Sequence, residues 1–161
     1  MTLIKSISGI RGTLENIPGH SLSDHDVEQL TLAYAKEVIS KEKGSNVIIG
    51  RDARISGKKI SKIIKETLVR EGVDVIDVGL VTTPTLGISV KQLNAAGGIM
   101  ISASHNDEKW NALKFLNNNG EFLSPAKVAL VIKDKNRDFE NPSKKGIISE
   151  YNYALRDHIN L

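Results

Sequence analysis

Apolar residues recur along this chain at two spacings, and the switches between them divide it into elements. Across 22–42, Val27, Leu30, Tyr34 and Val38 return every three or four residues, which predicts one helical stripe. Ser23 is a good N-cap, Asp24 and Asp26 suit the positive end of the helix, and Gly44 closes it. Asn46-Val-Ile-Ile-Gly50 reads as a short buried strand. Residues 57–71 return to the helical spacing, with Ile60, Ile63, Ile64, Thr67 and Leu68 inside and Gly72 as the stop. Residues 73–78 read as a strand. A helix then opens at Thr82-Thr-Pro84, where proline lies near the first turn and its missing N–H costs nothing. Leu86, Val90 and Leu93 face inward, and residues 97–102 form a third strand.

This alternation predicts an α/β protein, a three-layer α/β/α fold with a mostly parallel mixed sheet. Residues 112–116 and 120–123 flank Asn117-Asn-Asn-Gly120 and look like a hairpin, which adds one antiparallel strand. Residues 125–133 read as a helix. The polar stretch 136–146, with Pro142 and Gly146, reads as a linker. Residues 149–160 resume a helical pattern too short for a domain. The expected organisation is one domain over 1–146 and, over 147–161, a linker or the start of a second domain. No internal repeat or low-complexity tract is evident.

Composition narrows the chemistry. The 161 residues are 40% hydrophobic and 25% charged, an ordinary globular balance. Aromatic residues are only 4%, so the core rests on Ile, Val, Leu and Ala. The net charge of +3 is spread out, and the one dense basic cluster, Lys58, Lys59, Lys62 and Lys65, has helical spacing on a solvated face. Neither a basic stripe nor an aromatic-basic motif is present, which argues against a nucleic-acid partner. The absence of cysteine excludes disulfides, thiolate catalysis and thiolate-bound zinc, and fits a cytoplasmic protein. The N-terminus has no signal-peptide core, and no apolar run approaches the ~18 residues of a membrane span.

Ligands of open α/β sheets bind beyond the carboxyl ends of the strands. Polar loops fall there at 50–57, 79–85 and 102–106, with Ser8-Gly-Ile-Arg-Gly12 as a fourth candidate. Together they bring small residues, hydroxyls and the cations Arg11, Arg51 and Arg54 toward one another, a set that suits phosphate. Familiar motifs fail. Six residues separate Gly50 from Gly57 and Lys59 follows Lys58, so there is no Walker A loop. Ser104 lacks the glycines of a nucleophile elbow. Ser104 and His105 are adjacent, and chain neighbours rarely face each other as nucleophile and base. On their own, Ser102, Ser104 and Asn106 read as turn-makers at a strand end.

Ser102-Ala-Ser-His-Asn106 resembles the T/S-A-S-H-N-P loop of the α-D-phosphohexomutases. Asn111-Ala-Leu-Lys114 resembles their N-G-x-K element, and Ser8-Gly-Ile-Arg-Gly12 their G-I-R-G element. Residues 50–57 resemble the G-R-D-x-R-x-S-G loop, and Thr83-Pro84-Thr85 the T-P loop. These matches, in order across residues 8–114, imply the first domain of such an enzyme, of phosphoglucosamine, phosphomannose or phosphoglucose type. The resemblance implies that Ser104 carries the transferred phosphate and binds Mg²⁺ through it. It implies that Lys114 and Arg11 assist proton transfer and charge stabilisation, and that His105 helps beside the serine. Ser102, Asn106 and Arg51 would hold phosphate, with Arg51 and Asp52 alternatively a buried pair that orients its loop. A hexose 1,6-bisphosphate activator such as glucose 1,6-bisphosphate, a phosphosugar substrate and further domains of a larger enzyme are implied as partners.

Two positions depart from the family pattern. Asp107 replaces proline, which loosens the loop and sets a negative charge three residues from the serine. Ala112 replaces the glycine of N-G-x-K. The family's D-G-D-x-D-R metal loop does not occur in these residues. The expectation is a phosphohexomutase domain inactive alone. The alternatives are a non-catalytic sugar-phosphate module of the same fold and an unrelated serine–histidine hydrolase. The preferred hexose is not legible, because the family's specificity loop lies in another domain.

Overall fold

The computed structural model describes residues 3–39, 46–133 and 136–161. Two strands, β1 (Ile4–Ser6) and β2 (Gly9–Thr13), precede the first helix, α1 (Asp24–Glu37). The helix begins where expected, in a capping box. The Asp26 N–H donates to Ser23 Oγ at 3.1 Å, and the Ser23 N–H donates to the Asp26 carboxylate at 3.3 Å. It ends earlier than its apolar stripe, and the closing Gly44 lies outside the described residues.

The alternating middle follows as β3 (Asn46–Arg51), α2 (Gly57–Arg70), β4 (Asp74–Leu80), α3 (Thr83–Gln92) and β5 (Gly97–Ile101). Gly72 takes φ 80° after α2, the left-handed stop that a glycine adopts without strain. Thr82 caps α3, with Pro84 in its first turn. Then come β6 (Trp110–Leu116), α4 (Pro125–Lys133), β7 (Ile148–Glu150) and α5 (Ala154–Ile159).

The strands form one mixed sheet in the order β1-β2-β6-β5-β3-β4-β7. β3 pairs in parallel with β5 and β4, and β4 with β7, while β6 runs antiparallel to both β5 and β2. Alternate side chains supply two cores. Val47, Ile49, Ile99, Ile101, Leu113 and Phe115 pack beneath α1, α2 and α4. Ile48, Met100 and Leu116 pack against Leu86 and Val90 of α3 and Ala154 of α5. The result is the predicted three-layer α/β/α fold.

Three local expectations change. The hairpin after β6 has a turn at 117–120, but its second arm is a single bridge between Leu116 and Phe122. The N-terminal strands β1 and β2 were not anticipated, because Ser8-Gly-Ile-Arg-Gly12 is too glycine-rich to read as a strand. The stretch 149–160 is not one helix. Its first residues extend the sheet as β7, since β4 would otherwise offer an open edge, and only Ala154–Ile159 is helical.

Tyr34 locks the first layer to the sheet. Its ring stacks on Phe115 with centroids 4.9 Å apart, and its hydroxyl donates to Leu116 O at 2.7 Å and Gly98 O at 3.3 Å. Burial holds that hydroxyl above the ordinary phenol range, so it stays a donor. Gly97 makes room for it, since a Cβ there would lie 2.0 Å from the hydroxyl oxygen. Tyr34→Phe removes the one hydroxyl that ties α1 to these carbonyls, which keep their strand pairing, and a loss of about 0.5–1.5 kcal/mol is expected. Urea unfolding should show a lower midpoint with an unchanged m-value.

Candidate active site

The candidate residues gather at the end of the sheet where β2, β3 and β5 finish and β6 begins. β5 stops at Ile101, whose carbonyl accepts the Asp52 N–H at 3.0 Å, and the Ser102 N–H continues the ladder to Ala112 O at 3.1 Å. Ser102 Oγ then accepts the Ser104 N–H at 3.1 Å, and the Asn106 N–H returns to Ala103 O at 3.1 Å. These bonds turn the chain sharply. Ser104 takes φ 54°, a left-handed conformation that costs a non-glycine residue on the order of 1–3 kcal/mol. Its side chain stands exposed at the turn.

Lys114 reaches that side chain from the neighbouring strand and donates from Nζ to Ser104 Oγ at 2.6 Å. Its stem runs past Gly9, where a Cβ would sit 3.0 Å from Lys114 Cγ; at φ 138°, that position also suits only glycine. Burial pushes the Lys114 ammonium below the usual lysine range; Asp52 acts to raise it and Arg11 to lower it further. Arg11 stands across the ladder from Ala112, and its Nη1 donates to Asn106 Oδ1 at 3.2 Å. Ser104, Lys114, Arg11, Asn106 and Ser102 are thus brought together, with Ser102 acting through its turn.

His105 is exposed next to Ser104, while the partner of Ser104 Oγ is Lys114. Arg51 does not join the group. Its side chain turns toward α2 and lines a polar recess of about 320 Å³ with Lys58, Ser61, Lys65, Asp77 and Glu150. The proposed Arg51–Asp52 pair does not form either. Asp52 pairs instead with Arg54 at 3.1 Å and also accepts the Arg54 N–H at 3.1 Å. Successive residues leave a strand end on opposite sides, whereas an aspartate readily bonds the N–H two residues on.

Arg54, seen in the sequence only as one of three cations, proves the most engaged. It donates to the carbonyls of Ser104, Asn106, Asp107 and Trp110. Asn111, fully buried, donates to Ser56 Oγ at 2.9 Å and ties the start of β6 to the start of α2. Asp107 stands in a turn that its own groups close. Its carboxylate accepts the Lys109 N–H at 2.9 Å and its carbonyl the Trp110 N–H at 3.2 Å. Beside Pro84, the Thr82 hydroxyl is spent on capping α3 and the Thr85 hydroxyl on His158 Nδ1, at 2.8 Å from Thr85 Oγ1. Among the basic cluster, Lys59 pairs with Asp24 and Lys65 with Asp77, both at 2.7 Å.

Fold and site together define an α/β/α domain whose polar loops meet at the carboxyl ends of its parallel strands. The chain belongs to the phosphoglucomutase/phosphomannomutase family, as its α/β/α domain I, which matches residues 3–141. It is 39% identical over 112 residues to a phosphoglucosamine mutase of Alkaliphilus metalliredigens, covering 70% of this chain and 24% of that protein. It is 32% identical over 147 residues to a phosphoglucosamine mutase of Prochlorococcus marinus, covering 89% of this chain and 31% of that one. A phosphoglucomutase/phosphomannomutase family protein from Burkholderia thailandensis shares the fold with a TM-score of 0.75 at 23% identity, covering 96% of this chain and 35% of that chain. The chain therefore spans about a quarter to a third of the length of these relatives. Among the described residues, no helix is long and apolar enough to cross a membrane.

Proposed function

We propose that this chain is the phosphoserine-bearing domain of a cytoplasmic phosphohexomutase, which interconverts hexose 6-phosphate and hexose 1-phosphate through a bisphosphosugar. Glucosamine, mannose and glucose phosphates are the candidate substrates. The observation that carries the reading is the 2.6 Å contact from Lys114 Nζ to the oxygen of a serine held at positive φ. That geometry suits a nucleophile with a proton carrier in hydrogen-bond reach.

In the forward half, the bond from Ser104 Oγ to phosphorus breaks and a sugar hydroxyl forms the new one, releasing its own proton to water. The Lys114 ammonium gives its proton to the departing Oγ. In the return half, the Ser104 hydroxyl attacks the other phosphate of the bisphosphosugar, the bond from that phosphorus to the sugar oxygen breaks, the sugar oxygen takes a proton from water, and Lys114, now neutral, takes back the proton of Oγ. Its lowered proton affinity favours this second role, and Arg11 stabilises charge on the moving group. The serine–histidine hydrolase reading has less support, because Lys114 rather than His105 stands at Oγ.

Mg²⁺ does not fit the described residues by themselves. No group of three or more His, Asp or Glu side chains among them is placed to hold a metal ion, and the groups at Ser104 are chiefly cationic. A phosphate on Ser104 would be one ligand, with carboxylates supplied by further domains, and the sugar would be recognised there as well. The 161 residues alone are accordingly expected to turn over no substrate.

Intact mass and peptide mapping before and after incubation with glucose 1,6-bisphosphate and Mg²⁺ test the reading in the larger protein that carries this domain. One phosphate mapped to Ser104 is the expected result. An unmodified Ser104 there would overturn the mutase and favour a non-catalytic sugar-phosphate module.

A further inference from the structure

Arg54 spends both terminal nitrogens of its guanidinium on the loop that carries Ser104 and its Nε on Asp52. Nη2 donates to Ser104 O at 3.0 Å and to Asn106 O at 2.6 Å. Nη1 donates to Asp107 O and, at 3.1 Å, to Trp110 O. Nε donates to Asp52 Oδ2 at 3.1 Å. A guanidinium has five N–H donors in a rigid fork, and here each has a partner, leaving none for a ligand. The side chain is only 13% exposed.

The frame closes on itself. Asp52 is bonded through its own N–H to Ile101 O, at the end of the strand from which the loop springs. The path runs from strand end to Asp52, to Arg54, to the loop carbonyls and back into β6 at Trp110. Ser104 is pinned on both sides. Its N–H is held by Ser102 Oγ, and its carbonyl by Arg54. With both flanking peptide planes fixed, the residue between them keeps φ 54° and its Oγ stays at Lys114.

From this geometry we infer that Arg54 is a positioning residue for phosphoryl transfer, one that holds Ser104 in its left-handed conformation without touching the transferred group. The inference rests on the proposed function for its catalytic consequence, though not for the clamp itself. Lysine cannot replace arginine here, since a single ammonium with three donors cannot span these acceptors.

The test compares wild type, Arg54→Lys and Arg54→Ala in the larger protein that carries this domain. Steady-state kinetics and amide hydrogen exchange across 104–110 are the readouts, with the thermal midpoint as a control for folding. Arg54→Lys is expected to lose about 10²-fold in kcat, the scale of a roughly 1 Å misplacement. Its KM should stay near wild type, exchange should quicken in the loop alone, and the thermal midpoint should be nearly kept. A wild-type kcat, or loop protection equal to wild type, would overturn the assignment. So would global unfolding of Arg54→Lys, which would make Arg54 a general structural residue. Unfolding confined to Arg54→Ala leaves the lysine variant to decide. If wild type itself takes no phosphate on Ser104, the proposed function falls, and the exchange measurement alone then judges the clamp.

Discussion

Ser104→Ala in the larger protein is expected to lower mutase turnover by about 10³-fold or more and to leave no phosphate on the domain. The expectation follows from the bond that must break and re-form at Oγ, for which no other hydroxyl in the loop is placed. Ser102 Oγ is already engaged by the Ser104 N–H. Stability should barely change, because the Ser104 side chain is exposed and, among the described residues, Lys114 is its one hydrogen-bond partner. Ser104→Gly separates chemistry from strain. Glycine adopts φ 54° freely, so this variant should be equally inactive and at least as stable as the alanine one. Turnover assays, phosphopeptide mapping and thermal melts on the pair check the prediction. Substantial turnover by either variant would remove Ser104 from the mechanism.

Lys114→Met is expected to cost about 10²–10⁴-fold in turnover, the usual range for a positioned proton carrier. Methionine keeps the apolar stem that passes Gly9 but cannot exchange a proton with Oγ. The sign of the stability effect is opposite to that of the activity effect. Burial lowers the proton affinity of Lys114 in the folded chain, so between its folded and unfolded midpoints the unfolded state binds more protons. Its contribution to stability therefore rises with pH across that window, and below it the buried charge opposes folding. Removing the ammonium should leave stability at neutral pH unchanged or slightly higher while activity collapses.

The same shift sets the pH dependence. The half-reaction in which Ser104 attacks a bisphosphosugar should quicken as Lys114 loses its proton, with a midpoint below that of a free lysine. Since Arg11 lowers the proton affinity, Arg11→Ala should move that limb to higher pH. Single-turnover rates against pH for wild type, Lys114→Met and Arg11→Ala check this. A limb that survives in Lys114→Met belongs to another group.

Much of the fold was legible because its middle consists of helices and strands whose apolar spacing differs plainly. Leu86 and Val90 on α3, or Ile60 and Ile64 on α2, lie on the core-facing side that their spacing predicts. The elements missed were those whose stability is borrowed. β2 contains two glycines and survives because β1 and β6 flank it, and β7 is only three exposed residues that complete the edge of β4. Neither carries a periodic signal of its own, so no reading of spacing finds it.

The candidate site divides in the same way. The loop motifs set which residue types stand at the strand ends, and Ser104, Lys114 and Arg11 were named from them. Which cation serves which purpose depended on side-chain direction. Arg51 and Arg54 are three residues apart on one loop, yet one lines a recess beside α2 and the other clamps the serine loop. The partner of Asp52 was decided likewise, by a turn that favours Arg54 over the adjacent Arg51.

By itself the sequence determined the α/β/α class and the order of the central elements, because periodicity acts within a few residues, while the serine loop was named from the resemblance of its motif alone. Only the tertiary structure decided that Lys114 meets Ser104, that Gly9 leaves room for it, and that Arg54 braces a loop some fifty residues away. Those contacts depend on strand order and register across β2, β6 and β5, which arise from long-range pairing and from the cores packed on both faces of the sheet.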